Sequence, residues 1–289
     1  MPKVGLAVLH GMGDQKTDFG EDFVRKVERR FARQIQAHSS HPASEIVIQR
    51  VFYADILSTT EKDLLRDIRQ QHDLDWTKLR TFVVDNIGDA IAYELTPAQD
   101  DIYRQTHVRV AERLNDLEVQ TGPDASISIA AHSLGSIVIS NYLWDIQHPK
   151  TPPQDQYEWP HPDVQAAMMT PTSRMSNLAN LFTFGSPIAL WALRYPGLGE
   201  PVAFPMPGRA YPQLGVDWLN FFDDDDVIAY PLKPISTQYD SVVTRDIKVN
   251  AGSFFTNWTP LSHTQYWGDS EITNPIADKL AADWRHLNP

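Results

Sequence analysis

The stretch Ser126-Ile127-Ser128-Ile129-Ala130-Ala131-His132-Ser133-Leu134-Gly135-Ser136-Ile137-Val138-Ile139 decides how this chain reads. A β-rich run ends in Ala-His-Ser-Leu-Gly and continues into a helix-compatible segment with no polar gap. That passage predicts a sharp strand-to-helix turn that lifts a serine hydroxyl above the end of a sheet. The positions two before and two after such a serine must be small, because the two backbones nearly touch there. Ala131 and Gly135 fill them. Ser133 would also stand at the N-terminus of the new helix, whose free backbone N–H groups can stabilise an oxyanion. In an ordinary buried strand the same five residues would make Ser133 only a turn or N-cap serine, so the reading turns on the rest of the chain.

The 289 residues suffice to bury a sizeable core as one α/β domain. An apolar fraction of 42% with 21% charged residues describes a globular protein. The net charge of −12 argues against nucleic acid or an anionic membrane surface as a partner, since both attract basic faces. With no cysteine, disulfides, thiolate nucleophiles and Cys-ligated zinc are excluded. The opening residues, 1–9, are too short for a secretory apolar region with a cleavage site. No continuously apolar stretch approaches the ~20 residues that span a bilayer. The expectation is a cytoplasmic protein without stable membrane association.

Short β-branched or apolar runs alternate with longer helical patterns, the signature of a parallel sheet covered by helices. Strands are expected at about 3–9, 46–53, 126–131, 179–184, 217–222 and 242–249. Asp18 is placed to cap a helix over about 19–37, with Glu21 at the capping-box position and Phe23, Val27, Phe31 and Ile35 as its apolar stripe. Further helices fit about 60–71, 76–94, 98–120, 134–147 and 271–287. Two excursions exceed ordinary connection lengths, a helical insertion at about 57–97 and a segment at 186–216 rich in proline, glycine and aromatics. The second suits either a cap over a site or a rigid surface loop.

Three more segments share the logic of the serine turn. Val4 through Gly13 reads as a buried strand breaking into a glycine-flexible loop, and such a loop can aim the Met12 N–H at the same point as that of Leu134. Two such donors make an oxyanion hole. His10 reads as a strand-end histidine hydrogen-bonded locally. No phosphate-loop pattern is present, which sets aside a nucleotide-binding protein. In Trp218 through Leu232 an aromatic strand runs into Asp223, Asp224, Asp225 and Asp226. Four adjacent carboxylates repel, so the run reads as a solvated turn with one aspartate aimed inward at a histidine; an EF-hand calcium pattern is absent. Of the ten histidines only His263 and His286 follow this run, and His286 sits on the terminal amphipathic helix as a surface residue.

The order Ser133, Asp226, His263 is that of an α/β-hydrolase, and the chain resembles the lipase and esterase branch of that superfamily. The resemblance rests on His10-Gly11, Ala131-His132-Ser133-Leu134-Gly135, Phe184-Gly185-Ser186-Pro187, Asp226-Val227-Ile228-Ala229-Tyr230-Pro231-Leu232 and Ser262-His263-Thr264-Gln265-Tyr266-Trp267. The last two are similar to segments of microbial triacylglycerol lipases. It implies a sheet of about six mostly parallel strands flanked by helices, with Ser133 as nucleophile, His263 as base, Asp226 as acid, and Met12 and Leu134 as backbone oxyanion donors. The expected activity is hydrolysis of a small-molecule carboxylic ester without metal or organic cofactor. An acyltransferase or thioesterase would use the same residues, and a non-catalytic binding protein could keep the fold alone. Asp223 is the runner-up acid and Ser186 the competing nucleophile. Pro187 removes an N–H donor behind Ser186. Small or medium acyl esters are expected to be better substrates than emulsified triacylglycerol, with Trp191, Phe204 and Tyr211 lining a closed apolar pocket.

Overall fold

The central apolar runs, at 4–9, 126–132 and 178–184, become strands buried on both faces. A computed structural model describes residues 2–11, 16–56, 93, 100–150, 158–251 and 260–289. In chain order its elements are β1 (Val4–Leu9), α1 (Glu21–Ile35), β2 (Ile46–Val51), α2 (Asp100–Thr121), β3 (Ser126–His132), α3 (Leu134–Gln147), α4 (Pro162–Ala167), β4 (Leu178–Phe184), α5 (Ile188–Ala192), β5 (Trp218–Phe222), α6 (Thr237–Val242), β6 (Arg245–Lys248) and α7 (Ser270–Leu287). A run of 3-10 turns covers Pro260–Gly268. The sheet order is β2-β1-β3-β4-β5-β6, and every neighbouring pair is parallel.

Every residue of β1, β3 and β4 is buried. This explains why they read as continuous apolar runs rather than alternating ones. Alternate side chains serve opposite layers. Ala7 and Leu9 of β1 join Val110 and Leu114 of α2 and Ile137 and Val138 of α3 in one core. Leu6 and Val8 join Phe23, Val27 and Phe31 of α1 and Ile272, Ile276 and Leu280 of α7 in the other. The result is helix, sheet, helix: the layered parallel architecture that the resemblance implied.

The chain leaves β1 to one side, to β2, and returns to the other, to β3. The carboxyl ends of β1 and β3 therefore flank a topological switch point, where a crevice opens in sheets of this kind. His10 and Gly11 follow β1, and Ser133 follows β3.

Local details depart from expectation. The first helix is not capped by Asp18. Gly20, at φ 63°, stands at its N-cap with no side-chain cap bond, and the helix starts at Glu21. The left-handed entry explains why a glycine is there. The Phe23, Val27, Phe31 and Ile35 stripe is buried as expected. The last strand is shorter than expected because Thr237–Val242 forms a helix capped by Ser236. The helices expected at 60–71 and 76–94 lie outside the described residues except for Tyr93. In the 186–216 segment Phe204 is buried against Trp218, while Tyr211 is only half-buried. Val202, Met206 and Leu214 are buried as well, so much of this segment is core.

Gly135 shows how tight the turn is. A Cβ there would lie 2.6 Å from the His10 carbonyl oxygen and 3.0 Å from Leu9 Cβ. Gly135→Ala is expected to cost about 1–3 kcal/mol, because backbone must shift to admit it. Gly215→Ala, at a site with nothing within 4 Å, should stay within about 0.5 kcal/mol of the parent. Urea unfolding of the two variants checks the contrast.

Candidate active site

Ser133 has φ 52° and ψ −126°, a backbone region that non-glycine residues avoid. Such a conformation costs about 1–3 kcal/mol and persists only where the surroundings dictate it. Here they do. The Ser133 N–H donates to the Phe184 carbonyl at 3.1 Å, continuing the β3–β4 pairing. Its own carbonyl accepts the Ser136 N–H at 2.9 Å and the Ser136 hydroxyl at 2.6 Å. Gly11 lies against it so closely that a Cβ would come within 2.6 Å of Ser133 Cβ and 3.2 Å of its Oγ. The sequence places Gly11 in a flexible loop and in the His10-Gly11 pair but does not show this contact.

The Ser133 hydroxyl lies 2.6 Å from His263 Nε2, and His263 Nδ1 lies 2.7 Å from Asp226 Oδ2. A carboxylate only accepts, so Nδ1 carries the proton and donates to Asp226. Nε2 is then the acceptor for the serine hydroxyl. The structure thus brings together the three side chains singled out from the sequence, each from a different part of the chain. Ser133, His263 and Asp226 are all buried, at 0%, 2% and 4% exposure.

Asp226 is held on both oxygens. Oδ1 accepts the Ile228 N–H at 3.1 Å, and Oδ2 accepts the Tyr266 hydroxyl at 2.9 Å besides His263. Burial alone would push this carboxyl up. The His263 hydrogen bond and charge, with the Ile228 and Tyr266 donors, outweigh it and hold the group below the usual carboxylate range. Tyr266 also accepts the Asp223 N–H at 3.1 Å, so one phenol fixes both ends of the acidic turn. Its pKa is driven well up by burial and by Asp226, which keeps it a donor.

The four aspartates divide differently from expectation. Two turn inward, Asp223 and Asp226, while Asp224 and Asp225 face solvent. Asp223 does not meet the histidine. Its carboxylate accepts the Asp225 N–H at 2.9 Å and the Ala251 N–H at 2.5 Å, shaping the turn and tying it to the end of β6. Asp224 pairs with Lys248.

His132 is the residue that sequence reading missed. Its Nε2 lies 2.8 Å from the His263 carbonyl oxygen, so it donates there and fixes the backbone of the partner histidine. Desolvation, reinforced by His263, lowers its pKa to about 3. Only its place inside the Ala-His-Ser-Leu-Gly run hinted at this. Gly185, at φ 59°, makes room for it, since a Cβ there would lie 3.0 Å from His132 Nε2.

The remaining candidates are easily placed. His10 is a strand-end histidine bonded locally, as expected: Nδ1 donates to the Gly11 carbonyl at 2.6 Å and Nε2 accepts the Tyr53 N–H at 3.1 Å. Burial lowers its pKa to about 4. Ser186 shares a 2.7 Å hydrogen bond with Ser136 and accepts the Ile188 N–H at 3.3 Å, an anchoring role at the start of α5. His286 is exposed on α7. Leu134 is the first residue of α3, where backbone N–H groups have no acceptor within the helix. Met12 lies outside the described residues. Among the described residues no three His, Asp or Glu side chains are grouped to hold a metal ion, and no helix is long and apolar enough to cross a membrane.

No family model matches this chain, and no curated protein matches it. Among solved structures it is similar to a dienelactone hydrolase from Anabaena variabilis, at 11% identity over 99% of this chain and 87% of that one, with a TM-score of 0.37. It is also similar to the esterase domain of a Rhodothermus marinus protein, at 12% identity over 99% and 87%, again with a TM-score of 0.37. At such identities the site's own geometry has to say what it can do.

The two buried imidazoles set a stability trend. His10 and His132 titrate near 4 and 3 in the fold, against an ordinary 6.5. Below pH 6.5 the unfolded chain takes up protons that the fold refuses, so stability falls as pH falls. The loss continues down to about pH 4 for His10 and about 3 for His132. Each contributes up to roughly 1.4 kcal/mol per pH unit within that window. Urea midpoints should drop steeply between pH 6.5 and 5, and a flat profile there would contradict the assignment.

Proposed function

We propose that this chain is a serine hydrolase that cleaves carboxylic esters through an acyl-enzyme. The observation that carries the reading is the unbroken hydrogen-bonded chain Ser133–His263–Asp226, ending on a hydroxyl held in a strained turn at a helix N-terminus. Strain at a non-glycine residue is retained where geometry matters more than local stability.

The steps follow from the groups present. His263 Nε2 takes the Ser133 proton as Oγ attacks the ester carbonyl carbon, and the carbonyl π electrons move to oxygen. The N–H of Leu134 at the α3 N-terminus supports that oxyanion, with the Met12 N–H as the second donor. Asp226 stabilises the imidazolium and holds Nδ1–H in the tautomer that leaves Nε2 free to accept. Collapse breaks the bond to the alkoxy oxygen, which takes the proton from His263 and leaves as alcohol. Water, deprotonated by the same Nε2, then attacks the acyl carbon and releases the carboxylic acid and free Ser133. Nothing in this sequence calls for a cofactor. Burial of all three side chains strengthens their coupling by excluding water. The chain's net charge of −12 favours a neutral small-molecule substrate over nucleic acid or an anionic membrane surface.

The two inward aspartates give the test. Asp226→Asn should lower kcat for a short p-nitrophenyl ester by up to ~10⁴-fold with little change in the thermal midpoint, because the imidazole loses its tautomeric and charge support. Asp223→Asn should do the reverse, lowering the midpoint while leaving kcat within about tenfold, since its carboxylate serves backbone N–H groups. Steady-state kinetics beside thermal unfolding separates them. Retention of full activity by Asp226→Asn would refute its assignment as the acid.

A further inference from the structure

A cavity of about 450 Å³ lies between α3 and the segment that begins with α5, and none of Ser133, Asp226 and His263 lines it. Its buried lining is apolar, with Ile137 from α3, Ile188 from α5 and Val202 beyond. Four aromatic residues line it as well: Trp144 of α3, Trp191 of α5, Tyr195, and Tyr239 of α6. Of the three aromatics expected to line a pocket, Trp191 alone lines this one. Both indoles are braced, since His148 stacks on Trp144 at 3.9 Å and the Arg194 guanidinium lies 4.3 Å over the Trp191 ring.

Two hydroxyls stand on this lining, those of Ser140 on α3 and Tyr239 on α6. Tyr239 is only 6% exposed, yet among the described residues neither hydroxyl has a hydrogen-bond partner. Both keep accessible surface, unlike the enclosed indole N–H of Trp191. The neighbouring polar group is engaged, because Asn141 Nδ2 donates to the Tyr93 hydroxyl at 3.5 Å. Burial holds the Tyr239 phenol up at about 12, so it keeps its proton at neutral pH and can donate. Polar groups this deep normally have a partner. A hydroxyl on a bound molecule, which both donates and accepts, would serve the two together. The exposed part of the lining carries Lys150 and Glu200, one charge of each sign, and so favours neither a cation nor an anion.

We propose that this cavity is a second binding site, separate from the triad, for an uncharged aromatic alcohol of the phenol class. Its flat ring packs among Trp144, Trp191, Tyr195 and Tyr239, and its hydroxyl bonds to Tyr239 and Ser140. Aromatic rings gain from offset or edge contacts with other rings beyond the area they bury. The volume falls within the range of small-molecule sites. It holds roughly 15 water-sized groups at about 30 Å³ each, room for a two-ring phenol of about eleven heavy atoms.

The test is equilibrium dialysis of the full chain against four probes of one shape: 2-naphthol, 2-methylnaphthalene, 2-naphthoate and 2-naphthylmethylammonium. The parent should bind one 2-naphthol about fivefold more tightly than 2-methylnaphthalene, the gain expected of a hydrogen bond, and more tightly than either ion. Tyr239→Phe and Ser140→Ala, which remove one hydroxyl each without adding bulk, should shrink that preference, and the double variant should erase it. Ser140→Phe, which fills space from a half-buried position, should weaken both uncharged probes at least tenfold. Protein whose Ser133 carries a phosphonate should bind 2-naphthol within about twofold of the parent. Loss of binding on phosphonylation would overturn the proposal by placing the probe at the triad. A preference for 2-naphthol that survives the double variant, or an ion bound as tightly as 2-naphthol, would overturn it too. Binding lost to Ser140→Phe, in a protein that takes no phosphonate, would support the second site and count against the hydrolase reading alone.

Discussion

The close approach of two chain segments, the 133–135 turn and the end of β1 at 9–11, constrains everything else. The serine sits at φ 52°, Gly135 passes within contact of the ends of β1, and Gly11 presses against the serine itself. None of these approaches tolerates a Cβ without movement. The turn is affordable because β3 is paired on both sides and its residues are wholly buried, so the sheet dictates where the strand ends. Shifting β3 by one residue would exchange the side chains of its two layers, and with them both cores. The position of the hydroxyl is thus a consequence of sheet register.

The polar groups around it form a second tier of the same constraint. Asp226 is fixed by the Ile228 N–H and by Tyr266, Tyr266 is fixed by the Asp223 N–H, and Asp223 is itself bonded to the Asp225 and Ala251 N–H groups. From the other side His132 holds the His263 carbonyl. Each buried polar group named here has its charge or proton assigned by a neighbour, which is what lets an ionised carboxylate stay buried. Water exclusion then makes the Asp226–His263 coupling stronger than it would be at a surface.

Much of this was legible in the sequence, and the reason differs from element to element. β1, β3 and β4 announced themselves because burial on both faces demands unbroken apolar runs. The α1 stripe was legible because four apolar residues at spacing four have one purpose. Ser133, Asp226 and His263 stood out because an elbow requires small neighbours and because their order along the chain is restrictive. The short helices α4, α5 and α6 were not visible, since five or six residues carry too little periodicity. Two of them start on local caps from His161 and Ser236. The entry to α1 was misread because a capping pattern at Asp18 looked sufficient, whereas a left-handed Gly20 sets the start. The roles of Asp223 and His132 were hidden for a common reason: their partners are backbone atoms, and backbone atoms leave no residue-type signature.

The central claim is that Ser133 is a nucleophile activated by His263. The direct measurement is mass spectrometric mapping after exposure of the protein to a fluorophosphonate, in parallel with Ser133→Ala. A covalent adduct on the peptide carrying Ser133, absent from Ser133→Ala, is the predicted result. An adduct on Ser186, or unchanged labelling of Ser133→Ala, would contradict it.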